Sequence, residues 1–93
     1  MISDYLNNIR KTVYDPYIKE ALLEYMTKRE YVYGASSAKI TDFVTGEKVY
    51  NKCRIIYQDE EFEWRSEEVY LLEKYDLKVS DEFIHHVMGK NKG

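Results

Sequence analysis

Carboxylate side chains are concentrated between residues 59 and 68. Six of these ten residues are acidic and only Arg65 opposes them, so the segment carries −5 where the whole chain carries −3. Paired carboxylates can transfer protons or hold Mg²⁺ or Ca²⁺, but the spacing lacks the Asp-Xaa-Asp-Xaa-Asp-Gly order of a calcium loop. Two interpretations remain: a charged turn that keeps a hairpin edge from aggregating, and an acidic patch that meets a basic surface of a partner.

The second interpretation defines a candidate binding surface. It combines the acidic segment with one tyrosine of the preceding strand, and no catalytic or metal-ligating residue is assigned to it. The predicted binding residues are Asp59, Glu60, Glu61, Glu63, Glu67, Glu68 and Tyr50.

Two other groups could do chemistry. His85 and His86 are neighbours in a predicted helix, where their side chains point about 100° apart and do not form the i, i+4 pair that grips a metal. A surface or capping role is expected, with pH sensing as the alternative. Cys53 shares a strand face with Val49 and Ile55, which predicts buried packing. A dyad of Cys53 with either histidine is the alternative, since a thiol needs an activating base.

Length and composition limit the class of protein. At 93 residues the chain forms one domain. The ten tyrosines suit half-buried positions or an interface. The net charge of −3 argues against a general nucleic-acid binder. A single cysteine and the lack of a long apolar run predict a soluble, cytoplasmic protein with no cofactor and no membrane partner.

The first third of the chain has helical periodicity. A helix is predicted from Asp4 to about Val13, followed by a second that begins at Asp15-Pro16 and runs to about Glu30. Residues 31–33 fit either the end of that helix or a short strand. Residues 34–38 are small and predict a loop, with the properties of a hinge.

The middle of the chain has strand periodicity. A strand is predicted at 39–44, with a three-residue turn at 45–47 that sets Phe43 beside Val49. The next two strands form a hairpin between Lys48 and Arg65. With Asp59 and Glu60 as turn residues, Tyr57 faces Phe62 and Ile55 faces Trp64, and these four side chains form a core face.

Two helices complete the prediction. Ser66 is expected to cap one, and Ser80 to cap another from Asp81 to Met88, with Gly89 as its stop. The fold class is therefore α+β, a single small domain of order α-α-β-β-β-α-α. A three-stranded antiparallel meander (39–65) packs against a helical hairpin (3–33) and C-terminal helices (66–89).

Basic residues of the second strand suggest an alternative surface. Lys48, Tyr50, Lys52 and Arg54 share one strand face, which could contact phosphates and stack bases if it is exposed. The favoured interpretation is that Lys52 and Arg54 pair with Glu61 and Glu63 across the sheet.

In size and composition the chain resembles the compact inhibitors encoded by phages and other mobile elements, including those that block host nucleases or CRISPR effectors. The lack of catalytic or metal motifs, the small size, the tyrosine surplus and the acidic hairpin predict a non-enzymatic binding protein, an inhibitor or adaptor that engages a larger protein partner through an acidic, Tyr-rich surface. The alternative is a nucleic-acid-binding accessory or transcriptional regulator that uses the basic-aromatic strand face.

Overall fold

A computed structural model describes Ile9 and residues 13–92, with Tyr50, Asn51, Asn91 and Lys92 described for the backbone only. The first predicted helix, from Asp4 to about Val13, lies outside the described residues except for Ile9 and Val13. The described elements follow the order helix, three strands and two helices, which confirms an α+β domain.

Helix α1 spans Pro16–Met26. The Asp15 side chain caps it by accepting a hydrogen bond from the Tyr17 backbone N–H at 2.8 Å, as the Asp-Pro pair predicts. The helix ends before the predicted limit near Glu30. The Thr27 hydroxyl donates to the Leu23 carbonyl at 2.9 Å, and a short 3₁₀ turn at Arg29–Tyr31 leads into the sheet.

The sheet has three antiparallel strands in the order β1-β2-β3: Val32–Thr41, Lys48–Gln58 and Glu63–Arg65. The predicted loop at 34–38 is wrong, because these residues belong to β1. Pairing with β2 outweighs their weak strand propensity. The pairing is irregular, since Ala35 lies opposite Ile55 but Lys39 lies opposite Cys53, so extra residues of β1 bulge between these pairs.

The turn between β1 and β2 is longer than predicted. Ile40, and not Phe43, lies opposite Val49, while Phe43 sits in a turn closed by a 2.8 Å hydrogen bond from Asp42 N–H to the Glu47 carbonyl. Gly46 adopts a φ of 78°, so the predicted left-handed glycine is confirmed.

The β2–β3 hairpin turns one residue later than predicted. Tyr57 lies opposite Trp64 and Gln58 opposite Glu63, so Glu60 and Glu61 are the central turn residues. Moving the turn by one residue shifts each partner by two, and the facing sides of the strands are unchanged. The predicted pairs are therefore wrong, but the predicted core face is right: the rings of Tyr57 and Trp64 stack with centroids 5.9 Å apart.

Helix α2 spans Ser66–Tyr75 and helix α3 spans Asp81–Lys92. Ser66 is the first helical residue and not the predicted cap, because its hydroxyl accepts a hydrogen bond from Ile55 N–H and donates to the Cys53 carbonyl. Ser80 does cap α3, accepting from the Phe83 N–H at 3.1 Å. Gly89 lies inside α3 and does not stop it.

The core forms where the helices meet the inner sheet face. Its fully buried aliphatic residues come from all three helices, and Trp64 joins them to β3 by donating its indole N–H to the Met26 carbonyl at 2.9 Å. In the part of the chain that the structure describes, no helix has the length and apolar character to cross a bilayer.

The two glycines Gly46 and Gly89 provide a matched test of this backbone. A methyl group at either position meets no other atom within 4 Å, so only the backbone conformation differs. Gly46→Ala should lower the free energy of unfolding by about 1 kcal/mol because φ is positive there. Gly89→Ala should raise it by about 0.5–1 kcal/mol because alanine favours a helix. Urea denaturation measures both, and equal effects would contradict the assigned turn.

Candidate functional site

Asp59 directly follows β2 and fixes the tip of the β2–β3 hairpin. Its side chain is fully buried. Oδ1 accepts hydrogen bonds from the backbone N–H groups of Glu61 and Phe62, at 2.8 and 2.7 Å. This Asx turn uses the side-chain oxygen where a plain hairpin uses a backbone carbonyl, which explains why the turn begins after Asp59.

The other oxygen of Asp59 ties the hairpin to two helices. Oδ2 accepts the Tyr25 hydroxyl of α1 at 2.6 Å and lies 2.8 Å from Nε2 of His86 on α3. An ionised carboxylate can only accept, so Nε2 carries the proton of this bond. The two histidines differ in exposure. His85 is exposed, but only 9% of the His86 side chain is accessible. The expected surface role therefore does not hold for His86.

Burial and hydrogen bonding together set the pKa values of Asp59 and Tyr25. Burial alone would raise the pKa of Asp59, but hydrogen bonds from Tyr25, the turn N–H groups and His86 outweigh it and lower the pKa from 3.8 to about 2. Burial raises the pKa of Tyr25, and its bond to the Asp59 carboxylate raises it further. The tyrosine thus stays a neutral donor and the aspartate a charged acceptor.

Asp42 repeats this arrangement at the other turn. Its Oδ1 accepts from the backbone N–H groups of Val44 and Thr45, at 2.9 and 3.1 Å. Its Oδ2 accepts the hydroxyls of Tyr70 and Tyr75 of α2, at 2.7 and 2.6 Å. Burial again opposes ionisation, and the hydrogen bonds lower the pKa to about 2. Both turns of the sheet are thus fixed by a buried aspartate bound to helical side chains.

The structure divides the predicted acidic surface. Asp59 and Glu67 are buried, while Glu60, Glu61 and Glu63 are exposed. Glu60 forms an ion pair with Lys90 of α3, and Glu61 Oε2 lies 3.5 Å from Nδ1 of His86. The side chain of Tyr50 lies outside the described residues.

Glu63 and Glu68 are brought together by a groove of about 290 Å³, called here the Glu63 groove. Its apolar part includes Met26 of α1, Trp64 of β3 and Phe83 of α3. Its polar part includes Lys78 and Ser80 of the connector before α3. These two predicted binding residues therefore share one concave surface with apolar side chains.

The described tyrosines do not form one exposed surface with the acidic residues. Among the described tyrosines, Tyr25, Tyr57 and Tyr75 are buried, and Tyr14, Tyr31 and Tyr70 are half-buried. The two exposed ones, Tyr17 and Tyr33, belong to α1 and β1 and do not line the Glu63 groove.

The basic strand face also differs from the prediction. Lys48, Lys52 and Arg54 are exposed, and Lys52 and Arg54 line different cavities. No ion pair joins either of them to Glu61 or Glu63 among the described residues, so the predicted cross-strand pairs are wrong. The register explains this, because β3 begins at Glu63 opposite Gln58.

Cys53 is half-buried, and the Lys39 ammonium lies 3.5 Å from its sulfur. The cavity that Cys53 lines contains neither histidine. Within the residues that the structure describes, no three His, Cys, Asp or Glu side chains are grouped to hold a metal ion.

Sequence reasoning missed the partners of the two aspartates. An aspartate at the start of a turn can accept hydrogen bonds from backbone N–H groups two or three residues later, and this Asx-turn signal would have identified Asp42 and Asp59 as turn-fixing residues. Tyr25, Tyr70, Tyr75 and His86 carried no such signal, because each is 27–34 residues away from its aspartate along the chain.

No protein-family model matches the chain, and neither the curated proteins nor the solved structures contain a significant match.

The buried aspartates predict a specific acid sensitivity. Asp59→Asn should lower the free energy of unfolding at neutral pH by about 2–3 kcal/mol, since it removes a charged acceptor from buried donors. A carboxyl with a pKa lowered from 3.8 to about 2 stabilises the fold fully above its unfolded pKa, and this contribution is lost as pH falls through the folded value.

The advantage of the wild type over Asp59→Asn should therefore shrink between pH 4 and pH 2. Urea denaturation followed by tryptophan fluorescence over this range measures it, and the exposed Glu60→Gln serves as the control from the same turn. A difference that stays constant with pH would contradict the role given to the Asp59 charge.

Proposed function

We propose that this chain is a non-enzymatic binding protein, an inhibitor or adaptor whose Glu63 groove takes a basic side chain of a larger protein partner. The observation that carries the proposal is the placement of Glu63 and Glu68 at the edge of an apolar groove. Carboxylates beside apolar and aromatic surface suit lysine or arginine, because these side chains combine an apolar stem with a charged head.

The charge around the groove favours such a side chain. Two carboxylates and one ammonium, that of Lys78, line it. Ser80, also in the lining, is followed by Asp81 and Glu82, which are both exposed at the start of α3. A basic surface that approaches this side of the molecule therefore meets net negative charge, which speeds encounter and sets orientation.

The groove is also held in place before any partner arrives. Phe62, which lines it, is fixed through its backbone N–H by Asp59. Trp64 is fixed by its indole bond to Met26, and Ser80 by its cap of α3. A preformed site loses little conformational entropy on binding, so a small contact area can give useful affinity.

The volume of about 290 Å³ is at the lower end of the range for small-molecule sites. It fits one long side chain better than a whole substrate and cofactor. This supports binding of a protein over catalysis as the proposed role.

Charge reversal in the groove tests the proposal. The double variant Glu63→Lys with Glu68→Lys should weaken binding to a protein captured by the wild type at least about tenfold, a change of about 1.4 kcal/mol. Glu47→Lys, at an exposed glutamate of the β1–β2 turn outside the groove, is the matched control and should retain the partner.

Affinity capture with quantitative mass spectrometry, followed by titration of the captured protein at two salt concentrations, gives both measurements. The proposal is overturned if no protein depends on the two glutamates for capture. It is also overturned if the double variant and Glu47→Lys bind the partner equally well.

A further inference from the structure

His86 lies where helix α3 meets the tip of the β2–β3 hairpin. Only 9% of its side chain is accessible, and its ring packs against those of Phe62 and Phe83, with centroids 4.8 and 6.4 Å away. Each ring nitrogen lies near a carboxylate: Nε2 is 2.8 Å from Oδ2 of Asp59, and Nδ1 is 3.5 Å from Oε2 of Glu61. Both nitrogens therefore have an acceptor within reach.

The two contacts respond differently to the charge of the ring. The Asp59 carboxylate can only accept, since its pKa of about 2 keeps it ionised near neutral pH, so Nε2 carries a proton in both charge states. Nδ1 of the neutral ring then directs a lone pair toward the Glu61 carboxylate, and two acceptors repel each other. Uptake of a proton at Nδ1 turns this contact into a charge-assisted N–H···O bond.

Burial and charge act on the ring in opposite directions. Burial disfavours an imidazolium, whereas a carboxylate beside it favours one, and His86 is subject to both. Another polar group at the ring, the Tyr25 hydroxyl of α1, lies 3.3 Å from Nε2. Burial and the bond to Asp59 raise the pKa of Tyr25, so this hydroxyl stays neutral and does not replace a carboxylate as an ion-pair partner.

The charged and titratable groups of α3 itself are paired elsewhere or exposed. Lys90, one turn after His86, forms an ion pair with Glu60 of the hairpin tip. Glu82, one turn before it, and the neighbouring His85 are exposed. These groups leave the contact at Nδ1 to the hairpin.

We propose that His86 and Glu61 form a pH-dependent latch that holds the hairpin tip against α3. With the ring protonated, the tip has two ion pairs to α3, one between His86 and Glu61 and the other between Lys90 and Glu60. With the ring neutral, the Glu61 bond is lost and the Lys90 pair remains. An imidazole changes charge between about pH 5 and pH 8, so the latch closes in acid and opens in mild base.

The exposure of Glu61 allows the latch to work without repacking the core. Its side chain is 63% accessible, so it can return to water when the bond is lost. The Nδ1···Oε2 distance of 3.5 Å exceeds that of an ordinary N–H···O bond, and a small rotation of this exposed side chain closes it. The moving part is thus one surface glutamate, and the buried bond between His86 and Asp59 stays in place.

The latch is connected to the Glu63 groove through Phe62. The Phe62 ring contacts that of His86 and also lines the groove, so a closed latch holds this wall in place at acidic pH. This consequence rests on the proposed function. The latch itself is tested on the free chain, so its failure is distinguishable from failure of the groove.

Nuclear magnetic resonance of the ¹³C,¹⁵N-labelled chain between about pH 5 and pH 8 tests the latch directly. The neutral His86 ring should carry its proton on Nε2, and Nδ1 should gain one in acid. The side-chain carboxyl carbon of Glu61 should shift in step with that ring. His86→Gln should abolish this shift, because a glutamine amide can donate to Asp59 but takes up no proton. His85→Gln, at the exposed neighbouring histidine, is the matched control and should retain it.

Urea denaturation gives a second readout. The Glu61 contribution to stability is present while His86 is charged and is lost as pH rises. Glu61→Gln should therefore raise the unfolding constant by a factor at least about twofold larger at about pH 5.5 than at about pH 8. His85→Gln as background should preserve this excess, and His86→Gln should remove it.

Glu61→Gln alters an exposed side chain of the turn, so it decides the matter even where His86→Gln is unstable. The inference is overturned if the neutral ring carries its proton on Nδ1 or if the Glu61 carboxyl does not follow the His86 ring. It is also overturned if the effect of Glu61→Gln is equal at the two pH values.

Discussion

The rest of the structure depends on the hydrogen bonds that two buried carboxylates, those of Asp42 and Asp59, accept. Each uses one oxygen to fix a turn of the sheet and the other to accept donors from helices. A small domain has limited apolar area to bury, and charge-assisted hydrogen bonds at fixed points add specificity to that burial. These two residues therefore fix both turns of the sheet relative to the helices.

The same arrangement explains why the two concave sites are separate. Asp59 turns the chain so that Glu63 leaves the hairpin beside the connector before α3, which forms the Glu63 groove. β3 then leads to Arg65 and, in the first turn of α2, Glu67, which line a different cavity together with residues 34–36 of β1. A stretch of sequence that looks like one acidic patch therefore supplies residues to two separate concave surfaces.

Much of the fold could be predicted from local signals. The Asp15-Pro16 start of α1, the Ser80 cap, the left-handed Gly46 and the inner face of Tyr57 and Trp64 all follow from residue type and periodicity. The α+β class follows from them. These features depend on neighbours a few residues apart, where propensity and spacing decide the outcome.

The wrong predictions concern residues whose structure depends on a partner that is distant in the sequence. Residues 34–38 have the composition of a loop but belong to β1, which pairs with β2. Ser66 is a residue type typical of a helix cap, but its hydroxyl bonds to backbone groups of β2 instead. The charge pattern of residues 59–68 could not show which carboxylates are buried. Asp59 is buried by Tyr25 and His86, and neither bond can be deduced from spacing.

Tyr14 shows what such distant bonds imply for how the molecule comes apart. Its hydroxyl donates to the Leu77 carbonyl at 2.7 Å and accepts from the Val79 N–H at 2.9 Å, across 63 and 65 residues of chain. Contacts between such distant residues close large loops, and other contacts in the fold must offset the entropy lost in closing them. The segment before α1 is thereby linked to the one before α3, and fraying at one of these segments exposes the other. Such a linkage favours cooperative unfolding of the two segments.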